Sequence, residues 1–183
     1  MILFNLFGGP GAGKSTTAAY LYAMLKMRGW HVEMTGEAAR PFIYDGCPHK
    51  LENQVMMLGL QHENIKRLER SGLDVVINEC PYILGYIYQA QHQSYGPEFL
   101  EIARKLEKEL PDPYNIFIVR SYPYVQEKRI QNEEKAKDCD RQIRELVGNN
   151  FWMIVEGTKA GLDTMVLKIN ELLHNLRVGY DGI

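Results

Sequence analysis

Two hydrophobic patterns alternate along the chain. Short apolar runs bounded by glycine or proline are typical of buried strands, and longer segments with apolar residues three or four positions apart are typical of helices. The short runs predict strands at residues 2–7, 31–35, 73–78, 114–119 and 151–155. The longer segments predict helices at residues 14–28, 51–70, 81–92, 97–110, 125–147 and 164–176. The segment 36–50, which contains Pro41, Gly46 and Pro48, predicts a loop.

Strands that alternate with helices predict a mainly parallel sheet. Each strand, helix and strand form a right-handed crossover unit that places its helix on a face of the sheet. The run 73–78 is apolar at nearly every position, as expected of a central strand covered on both faces. We therefore predict a three-layer α/β fold, with a mainly parallel five-stranded sheet and helices on both of its faces.

Length and composition favour a single domain. The chain has 183 residues, of which 45% are hydrophobic and 24% are charged, as in ordinary globular proteins. We expect one domain at residues 1–178 and a flexible tail at residues 179–183. A formal net charge of -2 gives no global attraction for a polyanion, so contact with nucleic acid would need a local basic patch.

No segment predicts a signal peptide or a membrane span. The apolar first strand has no basic segment before it and runs straight into glycines, and no apolar run reaches the length of a membrane helix. Cys47, Cys80 and Cys139 are odd in number and far apart, which favours reduced thiols over a disulfide framework or a metal site. These features favour a cytoplasmic protein without membrane contact.

A glycine-rich motif lies between the first predicted strand and the first predicted helix. The segment Gly8-Gly9-Pro10-Gly11-Ala12-Gly13-Lys14-Ser15 matches GxxxxGK[ST], the phosphate loop of nucleotide-binding proteins. Glycines let backbone N–H groups turn toward phosphate oxygens, Lys14 can span the β- and γ-phosphates, and the Ser15 hydroxyl can ligate Mg²⁺. The predicted nucleotide contacts are Gly9, Pro10, Gly11, Ala12, Gly13, Lys14, Ser15 and, at the α-phosphate, Thr16. The motif predicts a fold of the P-loop NTPase type that binds ATP, or GTP, with Mg²⁺.

Two carboxylates follow predicted strands at the edge of the sheet where ligands bind in such folds. Glu79 comes directly after the third strand, where it could hold a Mg²⁺-bound water or orient an acceptor. Glu37 comes just after the second strand and could take a proton from an acceptor hydroxyl, with Arg40 aligning it or binding an anionic substrate. The alternative for Glu37 and Arg40 is a surface ion pair at the start of a helical turn.

Two further features concern the acceptor and the reaction. Gln54 and Gln61 share one helix face, where Gln61 could read the edge of a base; solvent exposure is the alternative for both. Basic residues after the fourth strand predict a helical lid at about residues 120–148, which would exclude water and bring Arg129, or Arg120, to the transferred phosphoryl group. Arg120, at the carboxyl end of the fourth strand, is also a candidate to bind the acceptor. Acidic residues in the same segment favour the alternative, a salt-bridged exposed helix.

The motifs together resemble a known family. They are the phosphate loop, Glu37-Ala-Ala-Arg40, Asn78-Glu79-Cys80-Pro81 and Tyr124-x-x-x-x-Arg129-x-Gln131. On these motifs the chain resembles, over about residues 1–176, the AAA-type P-loop kinase-like family related to nicotinamide riboside kinase domains, and also small phage-encoded kinases. The resemblance implies that Glu37 acts on the acceptor hydroxyl and that Glu79 belongs to an acidic motif at the end of the third strand. At that motif the chain departs from many relatives, which have an Asp followed by Arg or Ser.

These features predict a kinase. We expect ATP- and Mg²⁺-dependent transfer of the γ-phosphoryl group to a hydroxyl of a nucleoside-like acceptor. Some phage proteins that the chain resembles phosphorylate 5-hydroxymethyluracil within DNA. The resemblance therefore implies either a free nucleoside or nucleotide, or a 5-hydroxymethyl pyrimidine in phage DNA within the host cytoplasm. The alternative is a nucleotide-dependent ATPase or switch that acts with a partner, although the chain lacks the Asn-Lys-x-Asp motif of GTPases.

Overall fold

A five-stranded sheet forms the centre of the fold in the computed structural model, which describes residues 1–89, 95–125 and 132–180. The strands are β1 (Ile2–Phe7), β2 (Val32–Met34), β3 (Val75–Asn78), β4 (Tyr114–Val119) and β5 (Met153–Glu156). They lie in the order β2-β3-β1-β4-β5, and each strand is parallel to its neighbours. The predicted α/β fold with a parallel five-stranded sheet is confirmed.

Each strand is followed along the chain by one or two α-helices in the described ranges. They are α1 (Lys14–Lys26), α2 (Arg40–Tyr44), α3 (Gln54–Glu69), α4 (Tyr82–Gln89), α5 (Gly96–Glu107), α6 (Glu133–Val147) and α7 (Lys159–Tyr180). A short 3₁₀ helix (Pro48–Glu52) lies between α2 and α3. None of the helices in the described part of the chain has the length and apolar character needed to cross a membrane.

The apolar core lies on both faces of the sheet because successive strand residues point to opposite faces. In β1, Phe4 and Leu6 point to the first face, which α1 and α7 cover, whereas Leu3 and Phe7 point to the second face, which α3 to α6 cover. Helix residues buried on the first face include Ala18, Leu21, Leu25, Leu162, Met165, Val166, Ile169 and Leu173. Those on the second face include Leu58, Ile65, Tyr82, Leu84, Ile87, Phe99, Cys139, Ile143 and Val147.

A row of amide side chains crosses the second face of the sheet. Asn5 on β1 lies in register with Asn78 on β3 and with Asn115 on β4. Asn78 Nδ2 donates to Asn5 Oδ1 at 2.8 Å, and Asn5 Nδ2 donates to Asn115 Oδ1 at 3.1 Å. Asn115 Nδ2 then donates to the backbone carbonyl of Asn150 at 3.2 Å. This row, the asparagine ladder, satisfies polar groups that would otherwise be buried without partners.

Two segments differ from the predicted secondary structure for local reasons. The sixth helix starts at Glu133 and not at residue 125, because Asn132 Oδ1 accepts a hydrogen bond from Lys135 N at 2.9 Å and caps the first turn. Residue Val125 is not helical. The segment 36–50, predicted as a loop, contains α2, because Pro41 sits in the first turn, where proline is compatible with a helix.

The last helix is longer than predicted at both ends. It spans Lys159–Tyr180 instead of residues 164–176. Gly161 lies in its first turn as a packing residue, since a Cβ atom there would collide with the backbone oxygen of Glu156. Residues 179 and 180 of the predicted flexible tail are helical, and residues 181–183 lie outside the described ranges.

Candidate functional site

The phosphate loop joins the end of β1 to the start of α1. Gly13 is the N-cap residue of α1 and has a φ of 100°, a left-handed conformation that favours glycine. No side chain among the described residues caps this helix end. The first N–H groups of α1 therefore have no partner within the helix and lie at its positive end. Such a helix end can bind an anionic phosphate group.

Lys14 lies across the phosphate loop. Its Nζ donates to the backbone oxygen of Gly8 at 2.7 Å and to that of Gly9 at 3.2 Å. Both partners are neutral, and hydrogen bonds from an ammonium group to charged oxygens are stronger. Phosphate oxygens could therefore replace the two carbonyls as partners of Lys14 Nζ.

The segment after β2 meets the phosphate loop at Ser15. Arg40, the first residue of α2, donates from Nη2 to Ser15 Oγ at 2.8 Å and to Glu37 Oε2 at 3.3 Å. The side chains of Arg40 and Glu37 are 48% and 39% exposed, so a ligand can reach both from solvent. The predicted surface ion pair at a helical turn is thus present, and the same arginine also contacts the loop.

Glu79 follows β3 at the carboxyl edge of the sheet. Only 6% of the residue is exposed, and its Oε2 is buried with no hydrogen-bond partner among the described residues. Its backbone N–H donates to Thr35 Oγ1 at 3.3 Å, and Asn78 Oδ1 accepts from the backbone N–H of Cys80 at 3.1 Å. The asparagine ladder therefore holds the turn that carries Glu79, and one buried carboxylate oxygen stays available for a ligand.

The Cys80 thiol is buried next to Glu79, directly after β3. Burial raises the pKa of Cys80 to about 12; the carboxylates of Glu37 and Glu79 act in the same direction and the ammonium group of Lys14 opposes them. Lys14, Glu37 and Glu79 come from three separate segments. Hydrogen bonds connect these segments, because Arg40 bonds both Ser15 and Glu37, and the backbone N–H of Glu79 donates to Thr35 Oγ1. The thiol itself stays protonated and packs as a small apolar group.

Tyr88 on α4 is half-buried and packs against the apolar core of the second face. Desolvation raises its pKa well above the usual value, and Glu37 and Asp140 are among the acidic groups that add to this effect. The sequence contains 11 tyrosines, and no local pattern distinguishes Tyr88 from the others.

Arg120, predicted to bind the acceptor, contacts the phosphate loop. Its Nη1 donates to the backbone oxygen of Pro10 at 2.8 Å, and its Nη2 donates to Asp140 Oδ2 at 2.9 Å. Asp140 Oδ1 in turn accepts from the backbone N–H of Gly9 at 2.5 Å. A contact of Arg120 with the acceptor stays a prediction.

Asp140 is a site residue that the sequence patterns do not predict. It lies on α6 among the charged residues of the predicted lid. One signal was present, because Asp140 is four residues after Ala136 and three before Ile143, both of which are buried. An acidic residue on the apolar stripe of a helix needs a polar partner.

One protein family matches most of the sequence. The model of the AAA domain family matches residues 3–157. The chain belongs to the AAA domain family. No curated protein matches this AAA domain in sequence. Among solved structures, the AAA domain is similar to shikimate kinase from Bacteroides thetaiotaomicron, with a TM-score of 0.50 and 13% sequence identity over 94% of this chain and 98% of that chain. This likeness shows a shared fold alone.

Gln61 takes no part in the contacts of the phosphate loop among the described residues of the AAA domain. It lies on α3, and its Oε1 is buried without a partner in the described ranges. Gln54 on the same helix is buried and donates from Nε2 to the backbone oxygen of Leu51 at 2.6 Å, so solvent exposure does not apply to Gln54. Thr16 is exposed on α1, and Arg129 lies outside the described residues. The predicted roles of Gln61, Thr16 and Arg129 stay predictions.

The predicted lid contains a helix that packs on the sheet. In α6, Cys139, Ile143 and Val147 are buried in the core of the second face. On its other side, Arg141 pairs with Asp138 at 2.5 Å and lies exposed, as the alternative of a salt-bridged helix expects. Residues 126–131 lie outside the described ranges. Movement of a lid in the AAA domain stays a prediction.

The residues present at the loop fit Mg²⁺. Ser15 Oγ already contacts a cationic group, the guanidinium of Arg40, and Glu79 Oε2 is a buried acceptor without a partner in the described part of the chain. Hydroxyl and carboxylate oxygens are hard ligands that suit Mg²⁺, which takes further ligands from water and nucleotide phosphates. No group of three or more His, Cys, Asp or Glu among the described residues could hold a metal ion by itself. The site therefore fits a metal that arrives with a nucleotide.

Proposed function

We propose that this AAA domain is an ATP- and Mg²⁺-dependent kinase that transfers the γ-phosphoryl group to a hydroxyl of a nucleoside-like acceptor. The observation that carries the proposal is that Arg40 bonds both Ser15 of the phosphate loop and the Glu37 carboxylate, while Glu79 at the end of β3 has a buried carboxylate oxygen with no partner among the described residues. A phosphate-binding cation beside two carboxylates supplies the charged groups that phosphoryl transfer uses. The P-loop kinase-like fold supports the same class of reaction.

On the donor side, the phosphate loop would hold the β- and γ-phosphates of ATP. The N–H groups at the start of α1 would donate to phosphate oxygens, with contacts along residues 9–16. Lys14 would exchange the carbonyls of Gly8 and Gly9 for phosphate oxygens. Its ammonium group then lies where negative charge grows in the transition state, so it lowers the barrier to transfer.

Ser15 and Glu79 would hold the Mg²⁺ that accompanies ATP. When bound, the ion neutralises charge on the β- and γ-phosphate oxygens. Glu79 is buried, and a low local dielectric strengthens the interactions of its carboxylate with cations. The hydrogen bond from Arg40 to Ser15 Oγ would break, so that the hydroxyl can act as a metal ligand. The hydrogen bond from Arg40 to Glu37 would remain.

On the acceptor side, Glu37 would act as the general base. Its carboxylate is 39% exposed and is therefore accessible to an acceptor that enters from solvent. The acceptor oxygen bonds to the γ-phosphorus while the bond to the β,γ-bridging oxygen breaks; the hydroxyl proton passes to Glu37 and ADP leaves. Arg40 would align the Glu37 carboxylate or bind an anionic part of the acceptor.

The acceptor class and the extent of the domain rest on the sequence. The resemblance of Glu37-Ala-Ala-Arg40 and Asn78-Glu79-Cys80-Pro81 to phage kinases supports a free nucleoside or nucleotide, or a 5-hydroxymethyl pyrimidine in DNA. The reaction would take place in the cytoplasm, or in the host cytoplasm if a phage encodes the protein. We propose one domain at residues 1–178. A lid within about residues 120–148, with Arg129 as the residue that reaches the phosphoryl group, is part of the proposal, and α6 within it stays anchored in the core.

A panel of acceptors tests the proposal. Nucleosides, nicotinamide riboside and DNA that contains 5-hydroxymethyluracil are each incubated with the protein, ATP and Mg²⁺, and mass spectrometry detects the gain of a phosphoryl group. Lys14→Ala is the inactive variant, and Lys26→Ala at the far end of α1 is the matched control. Phosphorylation of one acceptor that is lost only in Lys14→Ala supports a kinase. ATP hydrolysis without a phosphorylated acceptor favours the ATPase or switch.

A further inference from the structure

Helix α6 touches the phosphate loop at Gly9. A Cβ atom at Gly9 would lie 2.5 Å from the backbone oxygen of Ala136 and 3.2 Å from Cys139 Cβ. No larger residue fits between the loop and the helix, so glycine is required here by the close approach. Because α6 is anchored in the core through Cys139 and Ile143, it gives the loop a fixed support.

Asp140 joins this support to the loop with two hydrogen bonds. Its Oδ1 accepts from the backbone N–H of Gly9 at 2.5 Å, and its Oδ2 accepts from Arg120 Nη2 at 2.9 Å. Arg120 Nη1 donates at 2.8 Å to the backbone oxygen of Pro10. Asp140 therefore holds the N–H of Gly9, and Arg120 holds the carbonyl of Pro10. These two groups lie on either side of the peptide bond between Gly9 and Pro10.

The pair is shielded from solvent. The side chains of Arg120 and Asp140 are 10% and 20% exposed, and the guanidinium also lies over the ring of Tyr124, 5.6 Å from its centroid. Hydrogen bonds between charged groups are stronger than neutral ones, and salt screens them less when they are partly buried. By contrast, the exposed pair of Asp138 and Arg141 on the same helix is of the kind that contributes little.

We propose that Asp140 is a positioning residue of the phosphate loop, which it holds in its binding conformation together with Arg120. A glycine-rich loop loses much conformational freedom when it becomes ordered, and contacts that order it before a ligand binds raise affinity. Asp140 contacts the loop on its backbone and not at a nucleotide, so its effect reaches the phosphates through Gly9 and Pro10. The inference rests on the proposed function, because it takes the loop to bind a nucleotide.

Nucleotide affinity tests this role without reference to an acceptor. The dissociation constant of a fluorescent ATP analogue with Mg²⁺ is measured for the whole protein and for Asp140→Asn, well below the unfolding midpoint of each. Asp138→Asn is the matched control, since it removes a carboxylate two residues away on the exposed side of α6. We expect Asp140→Asn to weaken binding by about tenfold to a hundredfold, as for the loss of a charged hydrogen bond, and Asp138→Asn by less than about twofold.

A second variant covers the case in which Asp140→Asn does not fold. Arg120→Lys keeps the charge but loses the fork that reaches Pro10 and Asp140 together, so we expect it to weaken nucleotide binding to a similar extent. When both variants fold, their effects should be less than additive, because each one breaks the same linked contacts. Additive effects would contradict the linkage.

The inference and the proposed function fail in different experiments. If Asp140→Asn binds the nucleotide as tightly as Asp138→Asn, the positioning role is wrong even when the protein is a kinase. A purely structural role would lower the unfolding midpoint and leave the affinity of the folded protein unchanged. If Asp140→Asn loses affinity but the wild-type protein phosphorylates no acceptor, the positioning role stands and the kinase is wrong.

Discussion

Arg40 donates a hydrogen bond of 2.8 Å to the hydroxyl of Ser15, the residue that follows the phosphate-loop lysine. A guanidinium group therefore lies at the oxygen that we propose as a ligand of Mg²⁺. The two cations compete for one hydroxyl, and Glu37 gives Arg40 an alternative partner at 3.3 Å. This competition separates the effect of Arg40 on nucleotide binding from its effect on the acceptor.

Removal of the Arg40 side chain should therefore have different effects on nucleotide affinity and on the rate of transfer to the acceptor. In Arg40→Ala we expect the affinity for ATP with Mg²⁺ to stay the same or to rise by up to about fivefold, because an exposed contact of modest energy no longer has to break. Transfer to the acceptor should fall, since Glu37 loses the group that aligns it. Binding titrations and transfer rates measure the two effects, with Arg70→Ala as the control, an exposed ion-paired arginine at the end of α3. If Arg40→Ala binds the nucleotide more weakly than the wild type and Arg70→Ala does not, Arg40 and Mg²⁺ do not compete for Ser15.

Replacement of Glu79 should lower activity without lowering stability. Its Oε2 is buried and has no partner among the described residues, and an ionised group in that position is costly to bury. We expect Glu79→Gln to reduce the transfer rate by about a hundredfold or more, and the unfolding midpoint to stay unchanged or to rise. Glu156→Gln is the control, because Glu156 is an exposed glutamate at the carboxyl end of β5. Full activity with a lower midpoint would show that Glu79 is structural.

Asn5, at the centre of the asparagine ladder, should contribute measurably to the free energy of unfolding. Asn5→Ala leaves Asn78 Nδ2 and Asn115 Oδ1 without their partners, so we expect the free energy of unfolding to fall by about 2–5 kcal/mol. Asn115→Ala, at the half-buried end of the ladder, should cost only about 1 kcal/mol, because water can replace the lost contact there. Urea unfolding measures both values. Equal losses of unfolding free energy in the two variants would mean that the stability contributed by these hydrogen bonds does not depend on their burial.

The cysteines should differ in their reactivity with thiol reagents. Burial raises the pKa of Cys80 to about 12, whereas Cys47 is half-buried. At about pH 8 a thiol of that pKa is ionised in only about one molecule in ten thousand, and the thiolate is the reactive form. We expect iodoacetamide to modify Cys47 in the folded protein, and all three cysteines after unfolding in urea, as read by mass spectrometry. Modification of Cys80 in the folded protein at the rate of Cys47 would contradict its burial.

The sequence predicts what depends on local patterns. Apolar runs and helical spacing are sufficient for the order of the five strands and of the longer helices, although not for the short helix α2, and β4 has the predicted bounds of residues 114–119. The phosphate loop is also a local motif, and its glycines, Lys14 and Ser15 are contiguous. The helix bounds differ where a single contact decides them, as at the Asn132 cap of α6.

Contacts between distant segments are not predictable in this way. Asp140 and Gly9 are 131 residues apart, and no periodicity relates them. The asparagine ladder depends on the register of β1, β3 and β4, which becomes known only when the strands are paired. The sequence places Arg120 at the carboxyl end of a strand, but its contact with Asp140 depends on the packing of α6.

The destination of the γ-phosphoryl group tests the central claim most directly. The protein is incubated with γ-labelled ATP, Mg²⁺ and the acceptor panel, and the label is divided between acceptor and free phosphate, with Lys14→Ala and Glu37→Gln measured beside the wild type. We predict that most of the label appears on one acceptor, that Lys14→Ala transfers none, and that Glu37→Gln still binds nucleotide but transfers much more slowly. Label that appears only as free phosphate, or transfer that Lys14→Ala retains, would contradict a kinase built on this phosphate loop.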